Sequence, residues 1–105
     1  MTERPLLDTL ADMTAASISR ANLPDRELML VRFAGLIAVN APASSYFLNM
    51  GPAMDSGLTL EDAQSVLVTL APIIGAPKAM DAAANIVAGL GLALDIADAL
   101  DAEDV

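Results

Sequence analysis

Four short breaks, Asn22-Leu23-Pro24, Asn40-Ala41-Pro42, Ser56-Gly57-Leu58-Thr59 and Gly75-Ala76-Pro77, divide this chain of 105 residues into segments whose apolar side chains return every three or four positions. That period gathers them on one side of an α-helix, whereas a half-buried strand would need strict alternation. Proline and glycine end helices because proline lacks a backbone donor and glycine readily takes the conformations that follow a last turn. An all-α chain of about five helices is therefore predicted. Composition agrees, since 55 % of the residues are hydrophobic but only 3 % aromatic, and unbranched aliphatic side chains lose little rotamer freedom in a helix. The length allows one domain with a core and is too short for two.

Residues 1–24 form an N-terminal helix in this reading, with Leu6, Leu7, Leu10, Met13, Ser17 and Ile18 along one stripe. Residues 25–98 form the helical domain and 99–105 an acidic tail expected to fray. The second helix opens at Pro24-Asp25-Arg26-Glu27, acids in its first turn, and its nearly unbroken apolar run to Val39 predicts burial on most sides. Pro42 opens the third helix, which Gly51-Pro52 is expected to kink or split. Gly57 closes it, and Thr59 caps the fourth helix with Glu61 and Asp62 in the first turn. Leu60, Ala63, Val66, Leu67, Leu70 and Ile74 make that helix amphipathic. Gly75 stops it and Pro77 begins a fifth helix, whose strong polar positions Asp81, Asn85 and Asp95 leave a surface expected to pack nearly all round.

Fourteen Asp and Glu stand against five Lys and Arg, a net charge of -9, so a nucleic-acid partner is not expected, because phosphate recognition needs a cationic face. Without cysteine or histidine, disulfides, thiol redox chemistry, ordinary zinc sites and imidazole catalysis are closed. No D-x-D-x-D-G loop is present, so no metal and no cofactor are expected. A spanning helix needs roughly 20 apolar residues. The run Leu28 to Val39 contains Arg32, and the run Ala82 to Leu94 contains Asn85 between flanking aspartates, so no membrane association is expected. The opening MTERPLLDTLADM scatters acids where a signal peptide is apolar, which makes a cytoplasmic location the expectation. A mean hydropathy of +0.55 is high for so small a chain and predicts self-association, because a short chain cannot hide that much apolar surface in its own core.

The order of parts in GLTLEDAQSVLVTLAPIIGAPKAMDAAANIV (57–87), a G-[LV]-T-x-E-[DE] helix start, then A-P-x-x-G and an alanine-rich final helix, resembles the carboxymuconolactone decarboxylase family, which includes the AhpD-like alkylhydroperoxidases. The resemblance covers about residues 25 to 94. It implies an AhpD-like helical domain assembled as a homo-oligomer (a trimer, hexamer or related ring), here expected through the second and fifth helices. In the peroxidase branch a C-x-x-C-x-x-x-H motif precedes the G-[LV]-T motif. Its counterparts here are Pro42, Ser45 and Asn49, which cannot cycle through sulfenic acid and disulfide. The decarboxylase branch resembles an acid/base enzyme with a histidine at the last position, and Asn49 cannot shuttle protons.

Four residues are candidates for binding a small apolar or anionic ligand: Arg32, Ser45, Tyr46 and Asn49. Ser45 and Asn49 stand four apart on one helix face at the family's site position. Arg32 is the one charge between Leu28 and Met54. It either anchors an anion, pairs with an acid such as Glu27 or Asp55 or with an acid of a neighbouring subunit, or snorkels to solvent. Tyr46 offers a hydroxyl or serves as a packing anchor. No catalytic residue is assigned. Two functions stand: a non-redox small-molecule-binding or assembly protein that kept the fold and lost the chemistry, or a lyase or isomerase acting on a small lactone or carboxylate at these four residues.

Overall fold

The four breaks read from the sequence fall where the chain turns. The computed structural model describes residues 4–103, and the side chains of residues 4–91 and Asp95. It consists of α1 (Pro5–Arg20), α2 (Asp25–Ala38), α3 (Ala43–Asp55), α4 (Leu60–Ile74) and α5 (Ala76–Glu103), with no strand among the described residues. Asn40 takes φ 55° in the turn after α2, a left-handed conformation that asparagine tolerates better than most residues. Gly57 at φ 83° ends α3, and Gly75 at φ 90° separates α4 from α5. Both are positions where a Cβ would be strained.

Thr59 forms the reciprocal cap anticipated for α4. Its Oγ1 accepts from the Asp62 backbone N–H at 3.1 Å, and its own N–H donates to Asp62 Oδ2 at 2.9 Å. Asp62 is also gripped by Arg26, whose Nη1 and Nη2 reach its two oxygens at 2.9 Å each. Arg26 Nη1 donates as well to the Gly57 carbonyl at 3.3 Å, so the start of α2 is tied to the α3–α4 turn. The fork of guanidinium donors, followed by the Thr59 N–H, holds the Asp62 carboxyl well below the usual carboxylate range.

The core is small. Ile37, Ala41, Tyr46 and Ala82 are buried together, with Phe33, Leu36, Leu67, Leu70, Ile74 and Ile86 packed around them. Helix α3 lies along α5, and α4 bridges α2 and α5. The approach of α3 to α5 depends on Gly89, because a Cβ there would sit 2.9 Å from the Ala43 carbonyl oxygen and 3.0 Å from Tyr46 Cβ.

Several expectations meet the structure differently. Helix α3, expected to kink or split at Gly51-Pro52, is not split there and runs to Asp55. Proline removes one donor from the ladder, and bonding resumes beyond it, Ser56 N–H donating to the Pro52 carbonyl at 3.0 Å. Within a single chain α2 is not buried on most sides, for only Leu28, Met29 and Ile37 are buried and Val31 faces outward. Within a single chain α5 is likewise not packed all round, since Met80 and Val87 are exposed while Ala82 and Gly89 face inward. The backbone of α5 also continues helically through residues expected to fray, as far as Glu103, and residues 104 and 105 lie outside the described residues.

Candidate functional site

Helices α2, α3 and α5 and the start of α4 enclose a cavity of about 320 Å³, within the size range of small-ligand sites. Helix α2 contributes Met29, Phe33 and Leu36. Helix α3 contributes Tyr46, Asn49, Met50, Ala53 and Met54 at the three- and four-residue steps that keep one helix face turned inward. Leu58, Thr59, Leu60 and Ala63 at the start of α4, with Ile86 and Leu90 of α5, complete the lining. The wall is hydrocarbon and thioether apart from Thr59, the Asn49 carboxamide and the Tyr46 phenol.

Tyr46 is the decisive residue. It is 2 % exposed, and its ring meets Phe33 edge to face at a centroid distance of 5.5 Å and an interplanar angle of 89°. Its hydroxyl finds no hydrogen-bond partner in the protein, although buried tyrosine hydroxyls are ordinarily satisfied. Burial raises its pKa above the usual phenol value, so at neutral pH it is a hydrogen-bond donor and not a base.

Both ends of the Asn49 carboxamide are bonded. Its Nδ2 donates to the Ser45 backbone carbonyl at 2.8 Å, and its Oδ1 accepts from Arg32 Nε at 3.4 Å and Nη2 at 3.3 Å. Arg32 makes neither the ion pair with Glu27 nor the one with Asp55; among the described residues the ion pair is Arg26 with Asp62 at 2.9 Å. The partly buried Arg32 guanidinium thus stands one hydrogen bond behind the cavity wall. The four candidates divide accordingly: Tyr46 and Asn49 line the cavity, Arg32 orients Asn49 from outside, and Ser45 takes part through its backbone carbonyl. Phe33, the cavity methionines, Ile86 and Leu90 were not among the candidates read from the sequence. Their apolar periodicity is the same whether a helix face meets a core or a cavity.

A second hollow of about 370 Å³, between α2 and α4, is wider open and centred on the Arg26 and Asp62 pair. Those charges satisfy each other, and the Thr69 hydroxyl donates to the Ser65 carbonyl at 2.8 Å. Among the described residues no three acids gather where they could hold a metal ion, and no helix is long and apolar enough to cross a membrane.

In comparison with known proteins, no family model matches this chain, and neither a curated protein nor a solved structure matches it. The resemblance to the carboxymuconolactone decarboxylase family rests on the order of its helix caps and breakers.

Proposed function

We propose that this protein is a non-redox binding protein for a small apolar molecule bearing one hydrogen-bond acceptor, built on a carboxymuconolactone decarboxylase-like domain. The observation that carries the reading is Tyr46, which lines an apolar cavity of about 320 Å³ and whose own hydroxyl, buried, has no hydrogen-bond partner. Leaving such a group unsatisfied costs about 1–3 kcal/mol, and a ligand acceptor that takes its hydrogen bond recovers that cost on binding. Met29, Met50 and Met54 give the wall a soft surface that adapts to the apolar body of the ligand. Arg32 biases the choice of head group: a carboxylate or lactone carbonyl near Asn49 feels its positive charge through one hydrogen bond. Binding is favoured over turnover because the polar groups at the cavity are a neutral phenol, a hydroxyl and a carboxamide, none of which serves as proton shuttle or activated nucleophile near neutral pH.

The test is the melting temperature of the wild type, Tyr46→Phe and Arg32→Ala against lactones, aromatic acids and fatty acids. A ligand that binds the folded state raises the midpoint. One chemical class is expected to raise it in the wild type, less in Tyr46→Phe, and least for its anionic members in Arg32→Ala. No response from any class, or a response indifferent to both substitutions, would contradict the proposal.

A further inference from the structure

The carboxamide of Asn49 could offer the cavity either an acceptor or a donor, and its neighbours decide which. The two ends of an amide have nearly the same shape, so only their partners tell them apart. Here both partners are one-sided. The Ser45 backbone carbonyl can only accept, and it takes a hydrogen bond from Asn49 Nδ2 at 2.8 Å. The Arg32 guanidinium can only donate, and it reaches Oδ1 through Nε at 3.4 Å and Nη2 at 3.3 Å. Exchanging the two ends would set donor against donor at Arg32 and acceptor against acceptor at Ser45, so the amide has one orientation.

What remains for a ligand follows from a count of bonds. Oδ1 has two lone pairs and receives two N–H groups from Arg32. Nδ2 has two hydrogens and gives one to Ser45, which leaves an N–H to give. The other polar groups of the lining lean the same way. Thr59 Oγ1 already accepts the Asp62 backbone N–H at 3.1 Å and keeps its own hydrogen to donate, and the Tyr46 hydroxyl has no partner. Without Arg32 the same wall would hold a bare carbonyl oxygen at Asn49, with which a ligand N–H could pair. Arg32 is not among the residues of the lining, so it acts through Asn49 and not by touching the ligand.

We propose that Arg32 is the positioning residue that sets the hydrogen-bond polarity of the cavity: by holding Asn49 Oδ1 it leaves an N–H for the ligand, and so selects a neutral ketone, ester or lactone carbonyl over a ring N–H. This selectivity rests on the cavity being a small-molecule site, as in the function above. It differs from attraction by charge, because it discriminates between ligands that are both uncharged.

1-Indanone and indole are bicyclic probes of similar size, the first with a carbonyl acceptor and the second with an N–H donor. Calorimetric titration of the wild type is expected to give 1-indanone a Kd about tenfold lower than that of indole, the value of one hydrogen bond. Arg32→Lys keeps a donor and should keep the preference, whereas Arg32→Met, of similar length and without a donor, should bring the ratio close to one, chiefly through tighter indole binding. A side chain that only supports packing would weaken both probes alike and leave the ratio unchanged. A wild-type ratio near one, or a ratio that Arg32→Met does not alter, would overturn the proposal and leave the binding function standing. Binding of neither probe would contradict the function itself and this selectivity with it. The orientation of Asn49 has a readout without any ligand: by NMR the Arg32 Nε–H should exchange with solvent more slowly than that of the exposed Arg20 and lose this protection in Asn49→Ala. Equal exchange at Arg32 and Arg20 in the wild type would remove the hold on Asn49 and overturn the proposal.

Discussion

A phenol hydroxyl enclosed by hydrocarbon is a poor choice for stability and a good one for recognition, and at Tyr46 the two can be separated by removing one atom. Tyr46→Phe deletes the unpartnered oxygen and keeps the edge-to-face contact with Phe33. We expect the ligand-free variant to be more stable by about 1 kcal/mol, which raises the melting temperature by about 4–8 °C in a domain of this size. The same variant should bind the ligand about tenfold more weakly, the value of one hydrogen bond. Opposite signs for stability and affinity mark a residue kept for function; a loss of both would mark a packing residue. Titration gives a second view of the same atom. Because burial raises the Tyr46 pKa in the folded state, its contribution to stability is fully present below the unfolded phenol value near 10 and is lost as pH rises through the folded value. Tyr46 is the sole tyrosine and there is no tryptophan, so phenolate absorbance reports this group alone. Its ionisation should coincide with alkaline unfolding, and Tyr46→Phe should move that unfolding to higher pH. Asp62 acts at the other end of the scale. Its folded pKa is depressed, so its stabilisation is present above about pH 4 and is lost as pH falls. The melting temperatures of wild type and Asp62→Asn should therefore differ above that pH and converge below it.

At the scale of the helix, the start of α4 and the crossing of α3 over α5 set the cavity's shape. Thr59→Ala removes the reciprocal cap with Asp62 and should cost about 1 kcal/mol, measured by denaturant midpoint. Gly89→Ala places a Cβ against the Ala43 carbonyl and Tyr46 Cβ. Overpacking costs about 1–3 kcal/mol, which outweighs the gain of about 1 kcal/mol in helix propensity. The variant should be destabilised and should bind ligand less well, because Tyr46 is displaced with α3. Gly35→Ala, with no atom within 4 Å of the added carbon, is the control and should show the propensity gain. The breaks between helices were legible in the sequence because caps and left-handed turn residues are local signals: Asn40, Gly57, Thr59 and Gly75 stand where their chemistry requires. Continuity through Pro52 was not legible, since whether a helix survives a proline depends on the bonds that resume beyond it. Nor was the partial exposure of α2 and α5. Apolar residues all round a helix signal burial, but not whether the covering surface belongs to the same chain. For the site, residue type identified Tyr46 and Asn49, whereas the enclosure that makes them neighbours of Ile86 and Leu90 is a product of how α3 crosses α5.

The molecule as a whole is a small helical domain with a slight core and a cavity between α2, α3 and α5. The central claim remains the cavity, and the most direct measurement uses its built-in probe. Emission from the single tyrosine is followed while the wild-type protein is titrated with aromatic and straight-chain carboxylic acids of increasing size. A saturable change is expected for acids up to the size that about 320 Å³ admits, with affinity falling beyond it. Emission that stays constant through the whole series to the solubility limit of each acid would contradict a ligand site at Tyr46.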